Sequence, residues 1–238
     1  MNLILINLQV PVERDKMDHY AIAASQKLGI RVNDLKVVKI LSKELDLRNK
    51  EQLFYKISIV VRITDSFDNI KKFPKYIERP EDTKRIRPVG TSIIIKERPI
   101  IIGFGPAGMF AALTLIGYGI KPVIFERGKR IEDRVLDVQR FISLRQLDPE
   151  SNIQFGEGGA GSFSDGKLFS RRNRNTGYAN RVLDTFIKFG APEEIGYISK
   201  PHLGTDVLCR IVANIRNYIL EQGGQIHYSA KMTNLLIS

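Results

Sequence analysis

The chain has 238 residues, 43% of them apolar and 26% charged, with a formal net charge of +11. That balance fits a globular protein with room for one large or two ordinary domains. No apolar stretch approaches the roughly 18 residues of a membrane-spanning helix, and Cys209, the only cysteine, excludes an internal disulfide and a C-x-x-C redox pair.

His19, His202 and His227 have no ligand-like spacing, so no metal is expected. The first ten residues lack a basic region and lead into Pro11, which reads as a first strand and not a signal peptide. The expected compartment is the cytoplasm, with no membrane partner. Residues 1–98 carry 20 basic and 13 acidic side chains, and residues 99–238 carry 17 and 13. Such an excess can draw anionic ligands or nucleic acid. No nucleic-acid signature accompanies it, and a solvated lysine-rich surface is the simpler account.

Residues 1–70 read as a small α+β domain. Leu3 to Val12 is strand-like. Met17 to Leu28 is helix-like, with Asp15 or Asp18 near its start and Gly29 past its end. Leu35 to Leu41 and Gln52 to Ile63 are further strands, joined by a polar hairpin connection. Residues 71–98 hold Pro74, Pro80 and Pro88 and a strong basic excess, the marks of an extended connector.

Residues 99–238 open on the most informative stretch. Ile100 to Ile102 lead into Gly103, Gly105 and Gly108 at G-x-G-x-x-G spacing. A helix-like segment from Pro106 to Ile116 follows. A second apolar strand, Pro122 to Glu126, ends in an acid 23 residues after Gly103. This order is what a dinucleotide site requires. Gly103 turns the chain out of the strand, Gly105 leaves room for a pyrophosphate, and Gly108 lets the helix pack closely. The unpaired N–H groups of the first helical turn attract phosphate, and Pro106 suits a first helical position. A carboxylate at Glu126 accepts from ribose hydroxyls and repels a 2′-phosphate. The motif alone does not separate FAD from NAD.

Arg130 to Leu144 has helical periodicity. The run from Asn152 to Lys167 contains Gly156, Gly158, Gly159, Gly161 and Gly166, too many glycines for a regular element. It is either a surface loop or a backbone that lies against a flat or anionic ligand. Arg171 to Arg174 follow. Asn180 to Phe189 and Val207 to Gln222 are helix-like, the latter with Thr205 or Asp206 as its cap. Gln225 to Ser229 and Met232 to Ile237 are strand-like.

The segments RPIIIGFGPAGMFAAL, PVIFERGKRIEDR, DPESNIQFGEGGAGSFSDGKL and GAPEEIGYISKPHLGTD resemble a family of uncharacterised bacterial FAD-dependent dehydrogenases in the glutathione-reductase-like superfamily. The resemblance is close over residues 90–238, and the N-terminal domain fits the family's layout. It implies an α/β fold, with a Rossmann-like FAD-binding three-layer domain preceded by a small α+β (βαββ, ferredoxin-like) domain. It tips the cofactor from either NAD or FAD to FAD. Gly103, Gly105, Pro106, Ala107 and Gly108 would cradle the pyrophosphate, and Glu126 would hold the adenosine ribose. Arg127 and Gly128 would border that ribose, and Arg134 would approach the phosphates. Gly158, Gly159, Ala160, Gly161 and Ser162 would pass near the ribityl chain or flavin, and backbone near Met232 would meet the adenine.

Because a flavin carries its own redox chemistry, no catalytic side chain is demanded. His202 is a candidate proton donor, set against an ordinary loop histidine. Asp165 and Lys167 are candidates for the flavin edge, set against plain turn chemistry. Cys209 reads as core. Members of the resembled family are longer and carry a second glycine-and-acid motif, which this sequence lacks before Ser238. The expectation is therefore a truncated or split FAD-dependent oxidoreductase of unknown substrate, with another chain as a candidate source of the missing half. The competing readings are an NAD-dependent dehydrogenase, a nucleic-acid-binding module and an inactive fragment.

Overall fold

The computed structural model describes residues 2–48, 51–63, 74–75, 97–168 and 177–236. The fold is mixed α/β, with one antiparallel and one parallel sheet. The chain forms two compact units, Met1–Pro88 with Glu193–Pro201, and Val89–Pro192 with His202–Ser238. Most of the connector expected at 71–98 and the whole Arg171–Arg174 cluster lie outside the described residues.

The first unit runs β1 (Asn2–Pro11), α1 (Met17–Leu28), β2 (Leu35–Asp46) and β3 (Phe54–Ile63), the expected βαββ order. These three strands pair antiparallel, with β3 between β1 and β2. In β1 the apolar alternation changes phase. Leu3 and Leu5 are buried, and so are Leu8 and Val10. The odd step from Leu5 to Leu8 cannot leave all four on one face of a regular strand. A bulge between Leu5 and Leu8, with Asn7 at φ 55°, absorbs the extra residue. The four then pack with Tyr20, Ala24 and Leu28 of α1 and with Ile57, Ile59 and Val61 of β3. Gly29, left-handed at φ 71°, closes α1 by donating to Ser25 O. Residues 193–201 return to this unit, where Lys43 N donates to Tyr197 O at 2.9 Å and Ser199 N to Lys43 O at 3.1 Å.

The second unit contains β4 (Ile100–Ile102), α2 (Pro106–Gly117), β5 (Val123–Phe125), α3 (Ile131–Leu144), α4 (Gly177–Lys188), α5 (Thr205–Glu221) and β6 (Gln225–His227). Its strands are parallel in the order β4-β5-β6. Ile101, Ile124 and Ile226 stand in register, with Ile124 fully buried. Ile100 and Ile102, on the opposite face, are 64% and 53% exposed. Helix α2 packs on β4 and α5, and α5 also packs on α3 and β6. No described helix is long and apolar enough to cross a membrane.

Two expectations fail here. Residues 232–236 form no strand. Ser229 takes a positive φ of 52°, and its N–H bonds Gly128 O, so the chain leaves the sheet after β6. Neither Thr205 nor Asp206 caps α5. The N-cap is Gly204, and both residues lie inside the first turn.

Candidate functional site

The turn after β4 organises a groove in the second unit. Gly103, at φ 91°, continues the ladder by donating to Phe125 O at 2.8 Å and then reverses the chain. A Cβ on Gly108 would collide with the carbonyl oxygen of Gly103, so the helix head and the turn touch backbone to backbone. Pro106 occupies the first turn of α2, where its missing N–H costs nothing. The N–H groups of Ala107 and Gly108 have no acceptor within the helix by its geometry.

Glu126 follows β5 and is only 4% exposed. Its Oε2 accepts from Phe104 N at 2.6 Å and its Oε1 from Gly128 N at 2.9 Å. Its backbone N–H reaches His227 O, and its carbonyl accepts from Ala230 N. One residue thus ties together the turn after β4, strand β5 and the chain leaving β6. Gly128 packs against Gly156 so closely that a Cβ there would meet the Gly156 Cα at 2.5 Å.

The glycine-rich stretch folds back onto this turn. Gly158 N donates to Phe104 O at 2.9 Å. Gly159 has a left-handed φ of 64°, and a Cβ on it would come within 3.2 Å of Pro106 Cδ. Ala160, Gly161 and Ser162 lie in a short 3-10 turn spanning Ala160–Phe163. Ser162 is buried, and the Cys209 Sγ lies 4.0 Å from its carbonyl oxygen. Burial pushes the Cys209 thiol pKa up, which disfavours a reactive thiolate.

Arg134, expected beside the phosphates, sits behind the glycine loop. It is fully buried, and its guanidinium donates to five carbonyls: Asn152, Ile153, Gly156, Glu157 and Gly159. It braces the glycine loop from within. Burial lowers its pKa to about 10, so it stays charged at neutral pH.

Glu157, also fully buried, completes the brace. Its carboxylate accepts from Ile131 N at 2.6 Å, Tyr228 Oη at 2.7 Å and Arg216 Nη1 at 2.8 Å. Arg216 in turn holds Glu132 through two hydrogen bonds. Burial raises the Glu157 pKa, while the Arg216 guanidinium holds Glu132 down at about 2. Sequence reasoning missed this network. Glu157 sits between two glycines, and its partners are 26 to 71 residues away.

These elements frame a groove of about 330 Å³. Six of the sequence candidates line it: Gly103, Gly105, Glu126, Arg127, Gly159 and Met232. Gln154, Phe155 and Lys231 join them without any prior signal. Lys167 and His202 are brought together by a backbone bridge, but neither lines the groove. Lys167 Nζ pairs with Asp165 at 2.7 Å and holds that carboxyl below its ordinary range. A second groove, about 350 Å³, lies in the first unit beside Gln9, Asp46 and Arg48. Its two charged residues are paired with each other at 2.6 Å.

A protein of Clostridium beijerinckii (strain ATCC 51743 / NCIMB 8052), described as an uncharacterized protein, is 39% identical to this chain over 223 residues. The match covers 88% of this chain and 39% of the relative, so the chain spans about two fifths of the length of the curated relative it matches. No protein-family model matches the chain.

Proposed function

We propose that this chain is the FAD-binding part of an FAD-dependent oxidoreductase of unknown substrate, with the second unit's groove as the nucleotide site. The observation that carries this reading is the convergence of Gly103, Gly105, Glu126, Arg127, Gly159 and Met232 on one groove beside the head of α2. The β4-α2-β5 unit supports a Rossmann-like class, and the βαββ order of the first unit supports a ferredoxin-like one.

The residues fit the group. Free N–H groups at the α2 head and the positive end of its dipole suit a pyrophosphate. Gly105 and Gly159 face each other without side chains, so backbone can close on the anion. Each Glu126 oxygen already accepts one N–H and keeps a lone pair for a ribose hydroxyl. When bound, the flavin supplies the redox chemistry, and the protein supplies binding, orientation and electrostatics. NAD shares the fingerprint. The glycine loop folded onto Gly105 and Pro106 favours FAD, because its sequence resembles that of FAD-dependent dehydrogenases.

Parallel sheets are normally covered on both faces, whereas Ile100 and Ile102 stand exposed. In this reading the remainder of a chain as long as the C. beijerinckii relative covers them, either in the same polypeptide or as a second one. Titration of FAD into the protein, followed by flavin fluorescence, tests the site. A saturable one-to-one change supports it. No change, with this chain and with a form extended to the relative's length, overturns it.

A further inference from the structure

One wall of the groove carries two cations that a single carboxylate holds. Arg127 follows Glu126, and Lys231 lies on the segment after β6; both line the groove. Glu150 reaches them from the loop after α3. Its Oε2 is 2.8 Å from Arg127 Nη2 and its Oε1 is 3.0 Å from Lys231 Nζ. The Arg127 guanidinium also lies 3.7 Å over the Phe155 ring, so its position is fixed. Glu150 is set in turn by Asp148, whose Oδ1 accepts from Glu150 N at 2.9 Å and from Ser151 N at 3.2 Å.

The other charge on the groove, Glu126, has both oxygens engaged by backbone N–H groups. Two cations therefore face two carboxylates, and the local charge balances. In dinucleotide sites of this kind the acid after the second strand meets the ribose 2′-hydroxyl, and a nearby arginine is what accommodates a 2′-phosphate. Here that arginine and its neighbouring lysine are already committed.

We propose that Glu150 determines nucleotide specificity: by holding Arg127 and Lys231 it reserves the groove for adenine nucleotides with a free 2′-hydroxyl. A 2′-phosphate would meet cations that are already paired and the carboxylate that pairs them. The assignment rests on the nucleotide reading above and extends it to a residue that does not itself line the groove.

The test compares 5′-AMP with adenosine 2′,5′-bisphosphate, which differ only in the 2′-phosphate. Both are titrated into the wild-type chain, Glu150→Gln and Glu150→Gln/Arg127→Gln, with FAD titrated alongside. Wild type should bind 5′-AMP at least as tightly as the bisphosphate. Glu150→Gln should move the affinity ratio toward the bisphosphate about threefold to fivefold, the scale of a solvent-accessible charge contact. That gain should shrink in high salt and largely vanish in the double variant. A ratio that does not move, or moves equally at all salt concentrations, overturns the role of Glu150 while leaving the nucleotide site standing. A wild-type chain that binds neither nucleotide nor FAD overturns the nucleotide reading and this assignment with it.

Discussion

The Glu157 carboxylate lies 2.8 Å from Nη1 of Arg216, and both side chains are withdrawn from solvent. The pair holds the glycine loop to α5, while the same carboxylate holds the N-terminus of α3 and the end of β6. Removing one partner of a buried pair leaves an uncompensated charge. Arg216→Leu should therefore cost about 3 kcal/mol. Glu132→Gln removes only the half-exposed partner and should cost within about 1 kcal/mol. Urea unfolding of the two variants checks the contrast.

The two acids on Arg216 also respond to pH in opposite senses. Glu132 has a folded pKa of about 2, below its ordinary 4.5. Its contribution is complete above about 4.5 and is lost as pH falls toward 2. Glu157 is raised by burial, so its ionisation costs stability at neutral pH, and that cost is relieved as pH falls through its raised value. Melting temperatures of wild type and Glu132→Gln, measured from pH 6 downward, should converge as the solution becomes acid. Parallel curves would contradict the pairing.

Arg134 makes a distinct prediction about the loop. Lysine keeps the charge but loses the planar fork that serves five carbonyls. Arg134→Lys should destabilise the protein by about 2 to 4 kcal/mol and speed amide hydrogen exchange at Gly158 and Gly159. Unchanged exchange there would mean the loop holds itself.

Gly105 and Gly108 separate folding from binding. At Gly108 a Cβ meets the Gly103 carbonyl oxygen, so Gly108→Ala should cost about 1 to 3 kcal/mol through overpacking. At Gly105 φ is −81°, and the nearest atom to a Cβ is Gly159 Cα at 3.7 Å, an ordinary contact. Gly105→Ala should leave stability within about 0.5 kcal/mol and, on the proposed function, weaken FAD binding, because the methyl group would occupy the space proposed for the pyrophosphate. Thermal melts paired with FAD titrations read both effects.

What was legible in the sequence was the part written in local chemistry. Gly103 and Gly108 announce a tight turn because only glycine tolerates that φ and that contact. Helix α1 ends where Gly29 follows Leu28. The bulge at Asn7 was not legible, since Leu3, Ile4, Leu5 and Ile6 are all apolar, and Ile4, Ile6, Leu8 and Val10 offer an unbroken alternation. Arg134 could not be told from a surface arginine, because its partners are carbonyls, which every residue carries. Glu157 and Glu150 were invisible for a related reason, their meaning residing in partners brought close only by the fold. The strand expected at Met232 failed because Ser229 turns the chain after β6, and an apolar run does not reveal that.

The groove beside α2 is the proposed FAD site. The most direct measurement is the absorbance spectrum of the purified protein after incubation with FAD and desalting, for this chain and for a form extended to the length of its longer relative. Retained flavin bands at one flavin per chain, reduced in Gly105→Ala, are the predicted result. Two colourless proteins would contradict it.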